Sequence, residues 1–405
     1  MKIDSMRKMD YWLGIPLCFV LSLFFKLLRL LKINSSVYTP PKKILFIELS
    51  EMGSAILVDP AMRKAKTVFK AELFFVIFKK NAVSLHLLNT VPLENIFTIR
   101  DDNLQVFLID VLKFIFWTRK QKIDTVIDLE LFSRATAILT GLSGATNRIG
   151  YHAFHTEGLY RGNMLTHPVM YNPHMHIAKN FISLINALQS NDNDLPYSKT
   201  LISDEEVQLA QADISGSAKA MMHAKISALV PTYLPTQHSI ILINPNASDL
   251  LPQRRWPRKH FEELIRLILK AYPASFVLLT GAPAEKAQAE TLAQAVNDPR
   301  CINFAGQVKF IELLPLYAIA KLMVTNDSGP GHFSSVTPLP TIVLFGPETP
   351  ALYGSLGNST PIYLGLACSP CVSASNHRKT PCTNNICLQW ITPASVMSQV
   401  QKILC

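Results

Sequence analysis

The chain has 405 residues, of which 49% are hydrophobic and only 17% charged, against ~25% charged in an average soluble protein. Those values exclude a disordered, acidic or coiled-coil chain, and at ~150 residues per domain the length fits two or three domains with sizeable cores. Thirty-nine Lys and Arg against 29 Asp and Glu leave a formal charge of +10, so the expected partners are anionic: phosphorylated small molecules, nucleic acid or an acidic membrane surface.

Residues 11–25 are apolar, interrupted only by Gly14, Pro16 and Ser22. As a helix this run spans ~22 Å, short of the ~30 Å hydrocarbon core. Extending it to Leu31 takes in Lys26 and Arg29. Lys2, Arg7 and Lys8 precede it, so both flanks are basic and the positive-inside rule gives no orientation. Lys26, Arg29 and Lys32 are three apart and share one side of a helix. The pattern predicts a helix over 1–35 lying in an anionic membrane surface, with a single span or a helix packed on its own core as alternatives. No small-residue cleavage site follows, so a signal peptide is not expected, and seven cysteines in 405 residues are too few for a disulfide scaffold. A reducing, cytoplasmic location is the default.

Residues 34–43 read as a linker with two serines and two prolines. A buried strand is predicted over 44–49, a turn over 50–54 and a helix to Lys70. Strands over 72–78 and 125–129 alternate with helices over 102–120 and 134–142, which indicates a parallel sheet covered on both faces. Ser50 and Gly53 sit in a strand-to-helix loop, where open α/β sheets bind ligands. His152, His155, His167, His174 and His176 enrich the middle of the chain, but no metal-ligand spacing such as HExxH occurs. Arg148, Arg161 and His155 lie in a polar stretch suited to an anionic acceptor. Asp192 and Asp194 spell D-x-D, yet they follow a helix in a polar linker and read as a solvated turn.

A second αβ series starts with a strand over 239–243 and continues with strands over 276–280, 322–325 and 341–345. Between them run the loops 244–248 (NPNAS), 253–257 (QRRWP), 281–285 (GAPAE), 326–332 (NDSGPGH) and 346–350 (GPETP). Glycine lets backbone N–H groups approach a phosphate. Arg254 and Arg255 can neutralise a diphosphate, Glu285 can accept hydrogen bonds from ribose hydroxyls, and Asp327 can bind sugar hydroxyls. The domains expected are 36–235 and 236–405. Cys368, Cys371, Cys382 and Cys387, with His377 among them, have zinc-like spacing. A structural metal, reduced structural thiols and disulfides all remain open there. No basic stripe with interleaved aromatics occurs outside the N-terminal helix, so nucleic acid is not an expected partner.

The runs 324–332 (VTNDSGPGH) and 341–350 (TIVLFGPETP) resemble the signature of the heptosyltransferase family, glycosyltransferase family 9. So do 49–53 (LSEMG), 59–61 (DPA), 132–134 (FSR), 143–145 (SGA), 148–150 (RIG), 244–248, 255–257 and 281–285. The resemblance covers roughly residues 43–391. It implies a GT-B fold of two facing Rossmann-like domains and an inverting transfer of heptose from ADP-heptose to the lipopolysaccharide core or a related lipid-linked acceptor, at the cytoplasmic face of the inner membrane. It implies donor contacts at Ser248, Arg254, Arg255, Glu285, Asp327, Ser328, Gly329 and His332, and acceptor contacts at Ser50, Gly53, Arg134 and Arg148. One departure stands out. The family's first loop carries Gly-Asp, whose aspartate is the proposed base, whereas this chain has Gly53-Ser54. A serine hydroxyl cannot take the acceptor proton unaided at neutral pH. Glu51 is the expected substitute, with Asp59 behind it. The alternatives are a different donor sugar or a catalytically inactive nucleotide-sugar-binding protein.

Overall fold

The computed structural model describes residues 3–31, 40–50, 52–155, 158–190, 198–373, 376 and 378–404. Most of the expected linker, Glu51, the D-x-D aspartates, His377 and Cys405 lie outside the described residues. The chain divides into two compact units, Met1–Gln208 and Leu209–Cys405. Residues 209–235, which the sequence reading grouped with the first domain, therefore belong to the second unit. The helix Gly216–Leu229 in this stretch, unforeseen from sequence, ties to it through Lys225, whose Nζ lies 3.0 Å from both Glu312 carboxylate oxygens.

The first unit holds six strands: β1 (Lys43–Ile47), β2 (Glu72–Phe78), β3 (Ile96–Ile99), β4 (Thr125–Asp128), β5 (Asn147–Tyr151) and β6 (His167–Val169). They form one sheet in the order β3-β2-β1-β4-β5-β6, parallel throughout. β1 and β2 are apolar runs buried along nearly their whole length, as expected of strands covered on both faces. Leu45, Ile47, Phe74, Val76 and Val126 pack with Phe114 of the helix Leu104–Gln121. That helix starts where Asn103 Oδ1 accepts from Val106 N at 2.9 Å. It ends at Lys122, which is in the left-handed region and whose backbone N–H bonds back to Arg119 O and Thr118 O, so a side-chain cap sets its start and a backbone turn its end. The expected helix after the first loop is split in two, Ser54–Leu57 and Asp59–Phe69.

The second unit repeats the plan with β7 (Ser239–Asn244), β8 (Ser275–Leu279), β9 (Cys301–Asn303), β10 (Leu322–Asn326), β11 (Thr341–Leu344) and β12 (Ser359–Ile362). The order is β12-β11-β10-β7-β8-β9, again parallel. Phe261, Leu264, Ile265 and Ile268 recur with helical spacing on Arg258–Ala271 and bury against Ile241, Ile243, Val277 and Val324. Val396 and Val400 of the last helix, Pro393–Leu404, complete that core.

The N-terminal segment forms helices Ile3–Trp12 and Gly14–Leu30, and the stretch Asp4–Leu30 is long and apolar enough to cross a membrane by length and composition. One face is packed on the first unit. Cys18 and Phe25 bury against Ala137 and Met164, and Gly14 lies so close to Arg134 that a Cβ there would meet its side chain at 2.8 Å. Polar ties run along this face. The Asp10 carboxylate accepts from the backbone N–H of Arg134 (2.8 Å) and Ala135 (3.0 Å), at the start of the helix Arg134–Leu142. It also pairs with the Arg134 guanidinium at 3.1 Å. Ser22 Oγ accepts from Asn163 N at 2.7 Å, and Arg29 donates to Leu165 O at 3.1 Å. The opposite face exposes Trp12, Leu13, Leu17, Phe19, Val20, Leu23, Phe24 and Leu27. The helix is therefore both packed on its own protein and apolar on its outer side. Asp10→Ala is expected to lower stability by about 3 kcal/mol, since it removes a helix cap and leaves the buried Arg134 charge unpaired. Urea unfolding checks this against Asp4→Ala, which breaks only an exposed pair with Arg7 and should cost under ~1 kcal/mol.

Candidate functional site

In sheets of this order, ligands sit beyond the carboxyl ends of the strands where the order reverses. In the first unit that point lies between β1 and β4. The loop after β1 is fixed there by Glu130, just past β4. Its Oε1 accepts from Leu49 N (3.1 Å), Ser50 N (3.1 Å) and Ser50 Oγ (2.6 Å). Glu130 was not singled out from sequence, because its partners lie some 80 positions away and nothing local marks it. Ser50, Gly53 and Ser54 all lie on this loop or at the start of the short helix that follows.

In the second unit the reversal lies between β7 and β10, and an asparagine ties the two strand ends together. Asn326 Nδ2 donates to Pro245 O at 2.9 Å, and its Oδ1 accepts from Trp256 N at 3.0 Å. This fixes the segment carrying Arg254 above the sheet. Arg254 Nη1 stands 3.7 Å from Asp327 Oδ2 and 3.6 Å from Glu348 Oε2. The Arg254 side chain is 17% exposed, while those of Asp327 and Glu348 are 4% and 3%. Arg378 Nε approaches Glu348 Oε1 at 3.3 Å. Burial first, then the neighbouring Glu348 charge, raises the pKa of Asp327 well above the usual carboxylate range, to about 8. Arg254 Nε and Asp327 Oδ2 are buried with no hydrogen-bond partner, and the separations of Nη1 from the carboxylates exceed hydrogen-bond length. The arginine is thus aligned by charge with hydrogen-bonding capacity left over, which suits an anion.

Other predicted donor residues surround this group. Glu285 Oε2 accepts from Ala282 N at 2.6 Å, and burial raises its pKa. Gly281 leaves the space between Asn246 and Glu285, where a Cβ would come within 2.7 Å of Asn246 Nδ2 and 2.9 Å of Glu285 Oε2. Ser328 Oγ donates to Asn326 O at 3.1 Å. Gly329 opens the helix Gly329–Ser334, and His332 in it faces Ser355 Oγ at 3.4 Å. Ser248 Oγ accepts from Leu250 N at 3.3 Å. Arg255 braces its own loop, donating to Ala247 O and pairing with Asp249.

Several expected residues are engaged elsewhere. Arg134 is buried, paired with Asp10 and donating from Nε to Tyr160 O at 2.9 Å. Arg148 donates to Met164 O (2.7 Å) and Ala145 O (2.6 Å) and lies 4.7 Å from the Phe25 ring centroid. Burial pulls its pKa down to about 10. Arg161 donates to the Asp128 carboxylate and to Ser133 O. These three guanidinium groups, including Arg134 and Arg148 for which acceptor contacts were expected, are engaged within the first unit. Asp59 is fully buried, paired with Arg63 at 2.9 Å and accepting from Thr90, so it is not available as a base. His176 caps the helix Ile177–Ala187, and His167 Nδ1 meets Thr166 Oγ1.

Cys368, Cys371, Cys382 and Cys387 are free thiols, and among the described residues no group of three or more His, Cys, Asp or Glu is arranged to hold a metal. Cys382 Sγ donates to Asn384 O, and Cys387 is buried against Gly346. Zinc therefore finds no support among the described residues, and no disulfide joins these four cysteines there.

Two doubly wound parallel sheets, each with polar groups gathered at its reversal point, define a protein with paired Rossmann-like halves. Residues 112–380 match the family described as glycosyltransferase family 9 (heptosyltransferase), and the chain belongs to that family. It is 30% identical over 144 residues to lipopolysaccharide heptosyltransferase 2 of Salmonella typhimurium, a match covering 35% of this chain and 38% of that relative's length. The fold is similar to the solved structure of the E. coli ADP-heptose lps heptosyltransferase II, with a TM-score of 0.69, 20% identity and coverage of 89% and 98% of the two chains. It is also similar to E. coli heptosyltransferase WaaC with ADP, at a TM-score of 0.60, 18% identity and coverage of 89% and 99%. The fold class expected from sequence, two Rossmann-like parallel-sheet halves of the GT-B kind, is the one found.

The raised pKa of Asp327 has a measurable sign. A carboxyl whose pKa is higher folded than unfolded binds an extra proton in the folded state, so its contribution to stability is lost as pH rises through the folded value. Between the unfolded value of ~4 and the folded value of about 8 the wild type should lose stability relative to Asp327→Asn as pH rises, with a slope of up to ~1.4 kcal/mol per pH unit that levels off above about pH 8. Urea midpoints at several pH values check this.

Proposed function

We propose that the chain is an inverting glycosyltransferase that moves heptose from ADP-heptose to the lipopolysaccharide core or a related lipid-linked acceptor. The observation that carries this reading is Arg254, aligned but not hydrogen-bonded beside Asp327 and Glu348 within the family-matched segment. The donor is assigned to the second unit, residues 209–405, and the acceptor to the first, residues 36–208. The acceptor hydroxyl oxygen attacks the anomeric carbon and its bond to the diphosphate oxygen breaks on the opposite face. Arg254, with backbone N–H groups at Ser328 and Gly329, stabilises the departing diphosphate. Asp327 orients the donor sugar, Glu285 takes the ribose hydroxyls, and Ser248, Arg255 and His332 complete the donor loops. Glu51 accepts the hydroxyl proton in place of the family's aspartate, on the loop that carries Ser50, Gly53 and Ser54 and that Glu130 anchors. The donor nucleotide sugar is the only small molecule the reaction requires.

We assign the protein to the cytoplasmic face of the inner membrane, where such acceptors lie. The N-terminal helix supports that placement. A helix tied to its own domain from Asp10 to Arg29 lies along a surface instead of crossing it, and its exposed Trp, Phe and Leu side chains fit the acyl boundary of an anionic bilayer.

The test is turnover with lipid extract from a heptose-deficient strain and a panel of ADP-, UDP-, GDP- and CMP-sugars. The expected result is nucleotide release from ADP-heptose with a matching gain in lipid mass. Arg254→Ala should lower kcat by about 10²–10³-fold, and Glu51→Gln should abolish the base limb of the pH–rate profile. Donor binding without transfer to any acceptor would favour a non-catalytic nucleotide-sugar-binding protein, the reading to which Ser54 points. For the helix, the double variant Phe19→Ser, Leu23→Ser should weaken binding to phosphatidylglycerol vesicles by about tenfold or more, measured by sedimentation.

A further inference from the structure

The donor reading assigns one cation to the diphosphate, but the second unit brings a second guanidinium to the same carboxylate. Glu348 takes one arginine on each oxygen, with Arg254 Nη1 at 3.6 Å from Oε2 and Arg378 Nε at 3.3 Å from Oε1. Arg378 comes from far along the chain, in the segment between Cys371 and Cys382. Its guanidinium lies over the Tyr353 ring at 4.8 Å, and its backbone is in the left-handed region at φ 52°, uncommon for a residue other than glycine. Its amide donates to Ser373 O at 3.0 Å.

That segment is tied to both sides of the arginine pair. Cys371 N and Val372 N donate to Pro347 O at 3.0 and 3.2 Å, next to Glu348. Gln253 Nε2 donates to Cys382 O at 2.7 Å, next to Arg254. Asn385 Nδ2 donates to Gln253 O (3.0 Å) and Arg255 O (2.9 Å). The cysteine-bearing segment thus holds Arg254 from one side and presents Arg378 on the other. Glu348, almost fully buried, sets the separation of the two. Arg254 Nε, buried without a hydrogen-bond partner, marks hydrogen-bonding capacity that the protein itself does not use. Two planar guanidinium forks bracketed on one carboxylate match an anion with several oxygens spread over two phosphorus centres better than a single phosphate.

We propose that Arg378 is a second diphosphate-binding residue of the donor site and that Glu348 is the positioning residue that pairs it with Arg254. This inference rests on the donor reading above and extends it to Arg378, outside the signature runs, and to Glu348, which lies in the GPETP run but was given no role there. It also gives the cysteine-bearing segment a role as one wall of the phosphate site.

Titration calorimetry with ADP and AMP, and with UDP and GDP in parallel, tests it on the full chain. Arg378→Gln should weaken ADP binding by about tenfold or more while AMP binding changes much less, so that the preference for diphosphate over monophosphate collapses. Arg378→Lys should restore part of that preference, since it keeps the charge without the fork. Glu348→Gln should lower the same preference with the melting temperature held near that of the wild type. An Arg378→Gln variant that binds ADP within twofold of the wild type overturns the inference and leaves the donor reading standing. Parallel losses for ADP and AMP also overturn it, since they mark a structural role. A wild type that binds none of the three nucleoside diphosphates brings down the donor reading and this inference with it.

Discussion

Asp327 and Glu348 are buried side by side under Arg254, and much of the second unit follows from what that burial demands. Two ionised carboxylates cannot share a dry site without cations or a proton. Both remedies are drawn on: Arg254 and Arg378 approach Glu348 on its two different oxygens, and the raised pKa of Asp327 favours its protonated form. Arg254 has to be held at the right height for this. The Asn326 side chain, by joining Pro245 O to Trp256 N across the ends of β7 and β10, does so. The site is consequently a property of the sheet reversal and not of one loop. Removing Asn326 would loosen the segment of Arg254 without touching any charge.

The first unit solves a comparable problem with different groups. Its reversal point is fixed by Glu130, which draws the loop after β1 down through backbone and hydroxyl donors. Its outer arginines, Arg134, Arg148 and Arg161, serve the interior, and the first two connect the N-terminal helix to the sheet. The helix is therefore part of the fold of this unit. Its packed face is set by small and polar groups, Gly14, Cys18 and Ser22, and its outer face by Trp, Phe and Leu. A sequence that alternates such faces over two dozen residues gives a surface-lying helix a fixed orientation on its own domain.

The central strands were legible in the sequence because β1, β2, β7, β8, β10 and β11 are continuous apolar runs with turn residues at their ends. The outer strands were not. β5 contains Asn147 and Arg148, β6 contains His167 and Pro168, and β9 and β12 are three and four residues long. At such lengths periodicity carries no signal, and the pairing partner decides. Arg148 misled for a related reason. A charged residue in a polar-looking stretch reads as surface, whereas here its guanidinium is enclosed by carbonyl oxygens and the Phe25 ring. Arg254, Asp327, Glu285 and the Ser328–Gly329 turn were legible because they recur at strand ends and in a family motif. Arg378 was not, since nothing local distinguishes an arginine in a cysteine-rich segment, and Glu348, although inside the GPETP motif, carried no sign of its pairing. Their meaning lies in Glu348 meeting Arg254 from more than 90 positions away and Arg378 in turn meeting Glu348.

The measurement that tests the central claim most directly is a crystal structure of the protein with ADP bound. The account predicts the diphosphate within hydrogen-bonding distance of Arg254, with Asp327 and Glu348 still paired beneath it. ADP bound elsewhere on the chain, with Arg254 still turned to the carboxyls and making no contact to phosphate, would contradict it.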